Sequence, residues 1–184
     1  GAFGQFCLVM PAQDAVLAIT SGVRDMQAVL DLVWEHLLPA MGPEPLAPAP
    51  DAQARLAEVL ANRRVAPMDS VANLVPECEP DGCYVLDDNP TGLRSLTVAI
   101  TRDRATMRLE GDGGVTAFTC APGAWQDGQV SLAPGAEAPP RWQGLPGGPI
   151  AASGAWIDGS TYGTRLCYYE TPFVFDMTCR FRSE

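Results

Sequence analysis

Four prolines in nine residues, in the run Gly-Pro-Glu-Pro-Leu-Ala-Pro-Ala-Pro at 42–50, divide this chain more firmly than any other feature it carries. Proline fixes φ and has no N–H to donate, so the run can join neither a helix interior nor a central strand. Its Pro/Ala composition makes it an extended, semi-rigid spacer. The segments on its two sides must therefore be organised separately, and their hydrophobic patterns differ.

Before the spacer, residues 3–10 and 15–20 are near-continuous apolar runs separated by Pro11-Ala12-Gln13-Asp14. Such runs read as short strands covered on both faces. Ser21-Gly22 ends the second. Met26, Val29, Leu30, Val33, Trp34, Leu37, Leu38 and Met41 then recur at three- and four-residue steps, the period of an amphipathic helix. Asp25 stands near its start, where negative charge complements the helix dipole, and Pro39 with Gly42-Pro43 stops it. Two strands and one helix with apolar residues on every side cannot bury their own faces, so residues 1–41 imply a sheet supplied from elsewhere. The opening Gly1-Ala2-Phe3, inside an apolar pattern, reads as a cut edge.

After the spacer, a short helix is expected from Asp51 as N-cap, with Ala54, Leu56, Val59 and Leu60 as its apolar residues and an end near Arg63-Arg64. From about Asp81 the period becomes two. Leu96, Val98 and Ile100 alternate with polar or small residues, as do Met107 and Leu109. In the last segment Phe173, Phe175, Met177, Cys179 and Phe181 point one way, and Val174, Asp176, Thr178, Arg180 and Arg182 the other. These are half-buried strands with one wet face. Turn-formers separate them: Asn89-Pro90-Thr91-Gly92, Gly111-Asp112-Gly113-Gly114, Gln126-Asp127-Gly128, Asp158-Gly159 and Glu170-Thr171-Pro172. The expected fold class is α+β. Residues 1–41 form a strand–strand–helix fragment, 42–50 a linker and 51–80 a helix and connector. Residues 81–184 form an antiparallel meander of about seven to eight strands, closed or nearly closed into a barrel.

Charge and composition exclude several chemistries. The formal net charge is −10, which repels phosphate backbones and anionic headgroups, so neither nucleic acid nor a membrane is expected as partner. No apolar run reaches the roughly 18–20 residues that span a bilayer. Every basic side chain is arginine. A chain without lysine has no Schiff base, no phosphate-loop lysine and no Ser-x-x-Lys pair. No cofactor is expected, and nothing in the residues assigns a compartment.

The cysteines stand at 7, 78, 83, 120, 167 and 179, four of them inside strand-like apolar stretches, so reduced and mostly buried thiols are expected. Cys78 and Cys83, flanking Glu-Pro-Asp-Gly, are the one pair close enough in sequence to bridge easily. Their spacing is not that of a zinc knuckle and no second pair follows, so no metal site is expected.

Residues 3–41 carry a further pattern. A Gly-rich strand start (Gly1-Ala2-Phe3-Gly4-Gln5) leads into a strand ending in Met10-Pro11-Ala12-Gln13-Asp14. A second strand runs from Ala15 to Ser21-Gly22, and a helix with a central Trp follows, Leu32-Val33-Trp34-Glu35-His36-Leu37-Leu38. In order and length this resembles the end of the catalytic domain of class C β-lactamases and their penicillin-binding-protein, esterase and D-amino-peptidase relatives. The resemblance covers about a fifth of the chain. It implies that the nucleophilic Ser of Ser-x-x-Lys, the Tyr of Tyr-x-Asn and the basic-x-Gly motif lie upstream, so no catalytic residue carries over. Residues 81–184 look similar to the lipocalin-like β-domain that some of these hydrolases append. The likeness rests on Gly154-Ala155-Trp156-Ile157-Asp158, on Arg165-Leu166-Cys167-Tyr168-Tyr169-Glu170-Thr171-Pro172-Phe173 and on the alternating last strand.

Each sharper candidate has a plainer competitor. His36 is the sole histidine; in a helix beside Glu35 it reads as structural or surface. Gly111-Asp112-Gly113-Gly114 lies between strands rather than before a helix, so it is a hairpin turn and not a phosphate cradle. Paired carboxylates such as Glu170 with Asp176, or Asp87 with Asp88, lie at turns or on wet faces and receive no chemistry. Trp125, Trp142, Trp156, Tyr162, Tyr168 and Tyr169 would line a ligand if the barrel held a small apolar molecule, although aromatics are also the natural filling of a small barrel.

The resulting expectation is a non-catalytic C-terminal portion of a serine hydrolase. Its partner would be an upstream catalytic domain, and residues 1–41 could also support a homodimer. The alternative is a stand-alone lipocalin-like barrel that binds a small apolar ligand. A self-sufficient enzyme using a cysteine is the most distant reading, because His36 belongs to a different unit from most of the thiols.

Overall fold

A computed structural model describes residues 2–44, 46–71, 74–131 and 147–182. The chain divides into two compact units, Gly1–Val65 and Ala66–Glu184. It is mostly β-sheet with two short α-helices, an α+β composition. The division falls later than the Pro-rich run. The expected helix-and-connector segment 51–80 is itself split: its helix belongs to the first unit and residues 66–80 to the second.

The first unit opens with an antiparallel hairpin of β1 (Phe6–Met10) and β2 (Ala15–Ile19). Pro11–Gln13 forms a single 3-10 turn between them, closed by Asp14 in the left-handed region (φ 48°). Ser21 ties the entry to the exit: its Oγ donates to the carbonyls of Phe3 (2.8 Å) and Gly4 (2.6 Å). Helix α1 (Met26–Leu32) begins at Asp25, whose carboxylate accepts the Ala28 N–H at 3.1 Å. The residues after it do not stay α-helical. Val33–Leu37 takes the wider π pattern and Leu38–Ala40 tightens to 3-10, where Pro39 has no N–H to continue the ladder. Helix α2 (Pro50–Ala61) corrects one expectation: Ala49 is its N-cap and Pro50 fills the first turn, so Asp51 lies inside the helix.

Among the described residues the second unit holds eight strands laid out as two four-stranded antiparallel sheets. One contains β3 (Gly82–Val85), β4 (Leu93–Ile100), β5 (Ala105–Gly111) and β6 (Gly114–Cys120) in sequence order. The other contains β7 (Gln126–Val130), β8 (Gly148–Trp156), β9 (Thr161–Tyr168) and β10 (Phe173–Arg180). The inner faces share one core. Leu96 and Val98, Ala105 and Met107, and Phe118 and Cys120 come from the first sheet; Val130, Ile150, Ala152, Tyr162 and Leu166 come from the second. The two-residue alternation read in β4, β5 and β10 is what places these side chains on one face.

The sheets are not closed into a barrel, contrary to expectation. Among the described residues no ladder joins β6 to β7 or β3 to β10. Two local features account for this. The tight turn at 121–124, with Gly123 at φ 66° and an Ala121–Ala124 bridge, sends the chain out of one sheet and into the other. β3 has only four residues, all exposed, and is too short to meet the eight-residue β10 along its length.

The hairpin at Gly111-Asp112-Gly113-Gly114 forms as expected, with Gly111 opposite Gly114. A side chain at Gly111 would run into the Gly92 carbonyl, which accepts the Asp112 N–H at 3.0 Å.

Candidate functional site

Three of the aromatic residues named as ligand-lining sit in the core between the sheets, packed by rings and thiol. Trp156 meets Tyr162 edge-on at 5.4 Å between centroids and leans on Phe181 at 5.9 Å. Tyr168 meets Phe175 edge-on at 5.6 Å. The Tyr162 hydroxyl lies 3.8 Å from Cys120 Sγ. Burial pushes both groups up from their ordinary pKa values, so both stay neutral at physiological pH. A buried thiol and a buried phenol held neutral make a packed polar contact and no nucleophile. Burial also raises Tyr168. Trp125 is half-buried in the link between β6 and β7, and Tyr169 is exposed. Trp142 lies outside the described residues.

The thiols are all free, including Cys78 and Cys83. Of the six, Cys120 alone is buried, while Cys7 and Cys83 are exposed and the others half-buried, which corrects the expectation of mostly buried thiols. Cys7 and Cys83 both fall on the open face of an outer strand. His36 is exposed, its Nε2 3.9 Å from Glu35 Oε1. Asp176 is engaged by Arg165, whose Nε and Nη2 donate to its two carboxylate oxygens at 2.7 and 2.8 Å. Among the described residues no group of three or more His, Cys, Asp or Glu side chains is arranged to hold a metal ion.

Residues 66–71 and 74–81, which the sequence presents mostly as a plain connector, line a broad concavity of the second unit. They form a strap tied to the sheets at residues 66–68 and again at 77–81. Arg165 Nη1 reaches the Ala66 carbonyl at 3.5 Å. Ser153 Oγ accepts the Met68 N–H at 3.0 Å, and the Gly123 N–H donates to the Met68 carbonyl at 2.7 Å. Further on, the Glu77 N–H donates to the Gly159 carbonyl at 2.7 Å and the Tyr84 hydroxyl to the Pro80 carbonyl at 2.7 Å. Asp81 Oδ1 accepts the Ile100 N–H at 2.8 Å. Between these pins and the β4–β5 turn lies an open cleft of about 1110 Å³. Leu74, Cys78, Ile100 and Trp156 line it where it meets the core, and Asp69, Glu79, Asp81, Arg102 and Asp103 also line it. Of the expected aromatic set, Trp156 alone among the described residues lines this cleft. The Pro and Gly spacing at 66–82 was the available signal for a connector, but nothing in it announced a concavity.

The first unit presents a different kind of surface. Its buried apolar side chains are Met10 and Val33. Val9 and Val16, paired across the hairpin, are each 67% exposed. Leu32, Trp34 and Leu37 of the helical segment and Leu56, Val59 and Leu60 of α2 are also open.

No family model, curated protein or solved structure matches this chain. No helix among the described residues is long and apolar enough to cross a membrane.

Proposed function

We propose that residues 2–41 are the closing hairpin and helix of a larger catalytic domain of the β-lactamase-superfamily serine-hydrolase type. The β-unit is its non-catalytic C-terminal companion, packing on that domain, shaping the rim of its cleft or mediating association. One observation carries the reading: the first unit is rich in apolar residues and buries almost none of them. A hairpin whose Val9–Val16 face is two-thirds exposed, followed by a helix leaving Leu32, Trp34 and Leu37 open, has the surface of a part and not of a finished domain. The order of elements, strand, strand and then helix, is the order on which the resemblance rests. The chain offers no Ser-x-x-Lys of its own, consistent with chemistry lying on other residues.

The test uses the complete gene product. It is treated with a fluorescent fluorophosphonate and, separately, a fluorescent penicillin, and the adduct is located by peptide mapping. A serine adduct outside residues 1–184 is expected. Absence of any adduct, or an adduct within these residues, overturns the reading.

A further inference from the structure

We propose that the cleft lined by residues from 69–71 and 74–81 of the strap and by the β4–β5 turn is a binding site for a small amphiphilic cation: an ammonium group carried on a compact apolar body. This inference does not depend on the hydrolase reading, since every residue it uses lies in the β-unit.

The chemistry of the cleft selects the ligand. Its floor is apolar and continuous with the core: Leu74 and Ile100 pack against the core cluster, and Trp156 belongs to it. An apolar body placed there is removed from water without disturbing the strands, worth about 25 cal/mol for each Å² buried. Its rim is charged and one-sided. Asp69, Glu79, Asp81 and Asp103 surround the opening against a single cation, Arg102. Four carboxylates over a low-dielectric floor concentrate negative potential there and draw in a cation, while an anion of the same shape is repelled. Trp156, a lining residue that is largely buried in the core, gives the cleft a spectroscopic reporter at its inner end. The volume, about 1110 Å³, slightly exceeds the roughly 300–1,000 Å³ usual for small-molecule sites, so a compact ligand would fill only its apolar end.

The cleft is also held open by bonds that do not involve the ligand. Met68 is anchored by Ser153 and Gly123, Glu77 by Gly159 and Asp81 by the Ile100 N–H. Both ends of the strap are thus fixed before a ligand arrives, which lowers the ordering cost of filling the site.

The experiment compares two molecules of equal shape and opposite charge, 3-phenylpropylammonium and 3-phenylpropanoate, with methylammonium as the charge without the body. Binding to the full chain is followed by calorimetry and by NMR at the Trp156 indole N–H, assigned with Trp156→Phe. Saturable one-to-one binding of 3-phenylpropylammonium is expected, with the carboxylate at least about ten-fold weaker and methylammonium weaker still. Raising the salt should narrow that difference. Glu79→Gln and Asp103→Asn, both at exposed positions, should each weaken the cation several-fold with the melting temperature unchanged. Equal binding of the two shapes, no shift at Trp156, or affinity indifferent to both substitutions would overturn the proposal.

Discussion

Ser153 and Met68 are separated by 85 residues and joined by a hydroxyl. Ser153 Oγ, fully buried on β8, accepts the Met68 N–H at 3.0 Å and has the carbonyls of Ala121 and Met68 within donor reach at 3.0 and 3.3 Å. It faces away from the core, so Ala66 and Met68, tied to Arg165 and Ser153, lie on the outer side of the second sheet. Gly163 on β9 makes the room: a Cβ there would stand 2.7 Å from Met68 Cε. Ser153→Ala should cost about 1–3 kcal/mol, because an amide loses its acceptor in a part-buried site. A urea midpoint measurement gives the size. Hydrogen exchange should accelerate over 66–71 and 74–81 while β4 and β5 keep their protection; uniform acceleration would mean that the hydroxyl supports the whole unit and not the strap.

On the inner side of the same sheet, Gly154 lies where nothing larger fits. An added Cβ would stand 2.7 Å from Cys120 Sγ and 2.9 Å from the Tyr162 ring and hydroxyl. Gly154→Ala should therefore destabilise by about 1–3 kcal/mol through overpacking. Gly163→Ala should cost less, since the atoms it meets are the ends of the flexible Met68 and Ile157 side chains. Combining Gly154→Ala with Cys120→Ala should recover part of the loss, a coupling that a double-mutant cycle reads directly. Strict additivity would show that the thiol is not the obstacle.

Sequence pattern reached the individual strands but not their assembly. Phe173, Phe175, Met177 and Cys179 alternate with Val174, Asp176, Thr178 and Arg180, and the structure places the first set against the core and the second in solvent. Alternation says which face of a strand is dry; it does not say which strand lies opposite. Whether eight such strands close or stack depends on the turn at 121–124 and on the length of β3, and neither has an apolar period to read. The helix after Asp25 was legible, but its passage into a π turn at Val33–Leu37 was not, since one wider turn is too short to shift an apolar spacing read over the whole segment. The strap was hidden for another reason. Its fixings are backbone groups and one serine hydroxyl from distant strands, which leave no trace in local composition. Trp156 was singled out for its aromaticity, yet its place in the cleft floor comes from residues 74 and 100, which the alternation marks only as apolar.

The Arg165–Asp176 pair gives the β-unit a small acid-sensitive increment. The guanidinium, donating to both oxygens, holds the Asp176 carboxyl below its ordinary value of 3.8. A carboxylate whose folded pKa is depressed stabilises the fold above its unfolded pKa and loses that contribution as pH falls through the folded value. Asp176 is about half exposed, its side chain 55% accessible, so solvent screening keeps the contribution to about 1 kcal/mol or less. Asp176→Asn should be slightly less stable than the parent at pH 7. The two should converge as pH drops below about 4. Urea titrations at pH 7, 5, 4 and 3 decide it, and a gap that survives at the lowest pH would assign the effect to packing.

Thiol reactivity should sort by burial. Cys7 and Cys83, exposed on outer strands, should react within minutes with a disulfide reagent at neutral pH. Cys120 should stay unmodified until the protein unfolds, because burial both blocks access and raises its pKa. Cys179 should also lag, its thiol pushed up by the same cause. Mass spectrometry of the labelled peptides over time supplies the order. Early labelling of Cys120 would show that the two sheets part readily.

The hairpin face bears directly on what completes the first unit. Val9 and Val16 stand opposite one another in the β1–β2 register, both two-thirds exposed. Val9→Lys with Val16→Glu replaces an apolar cross-strand pair by an oppositely charged one that the isolated hairpin tolerates. In this chain the change should leave the urea midpoint of the β-unit within about 0.5 kcal/mol of the parent. It should lower apolar-dye binding and any self-association that the open face drives. In the complete gene product the same pair would place two charges where a sheet should cover them, and buried charge is costly even when paired. The urea concentration at which fluorophosphonate labelling is lost should then fall, because charges buried at a closing hairpin cost a catalytic domain several kcal/mol. An unchanged concentration for the complete product would mean that the Val9–Val16 face is not where the two parts meet.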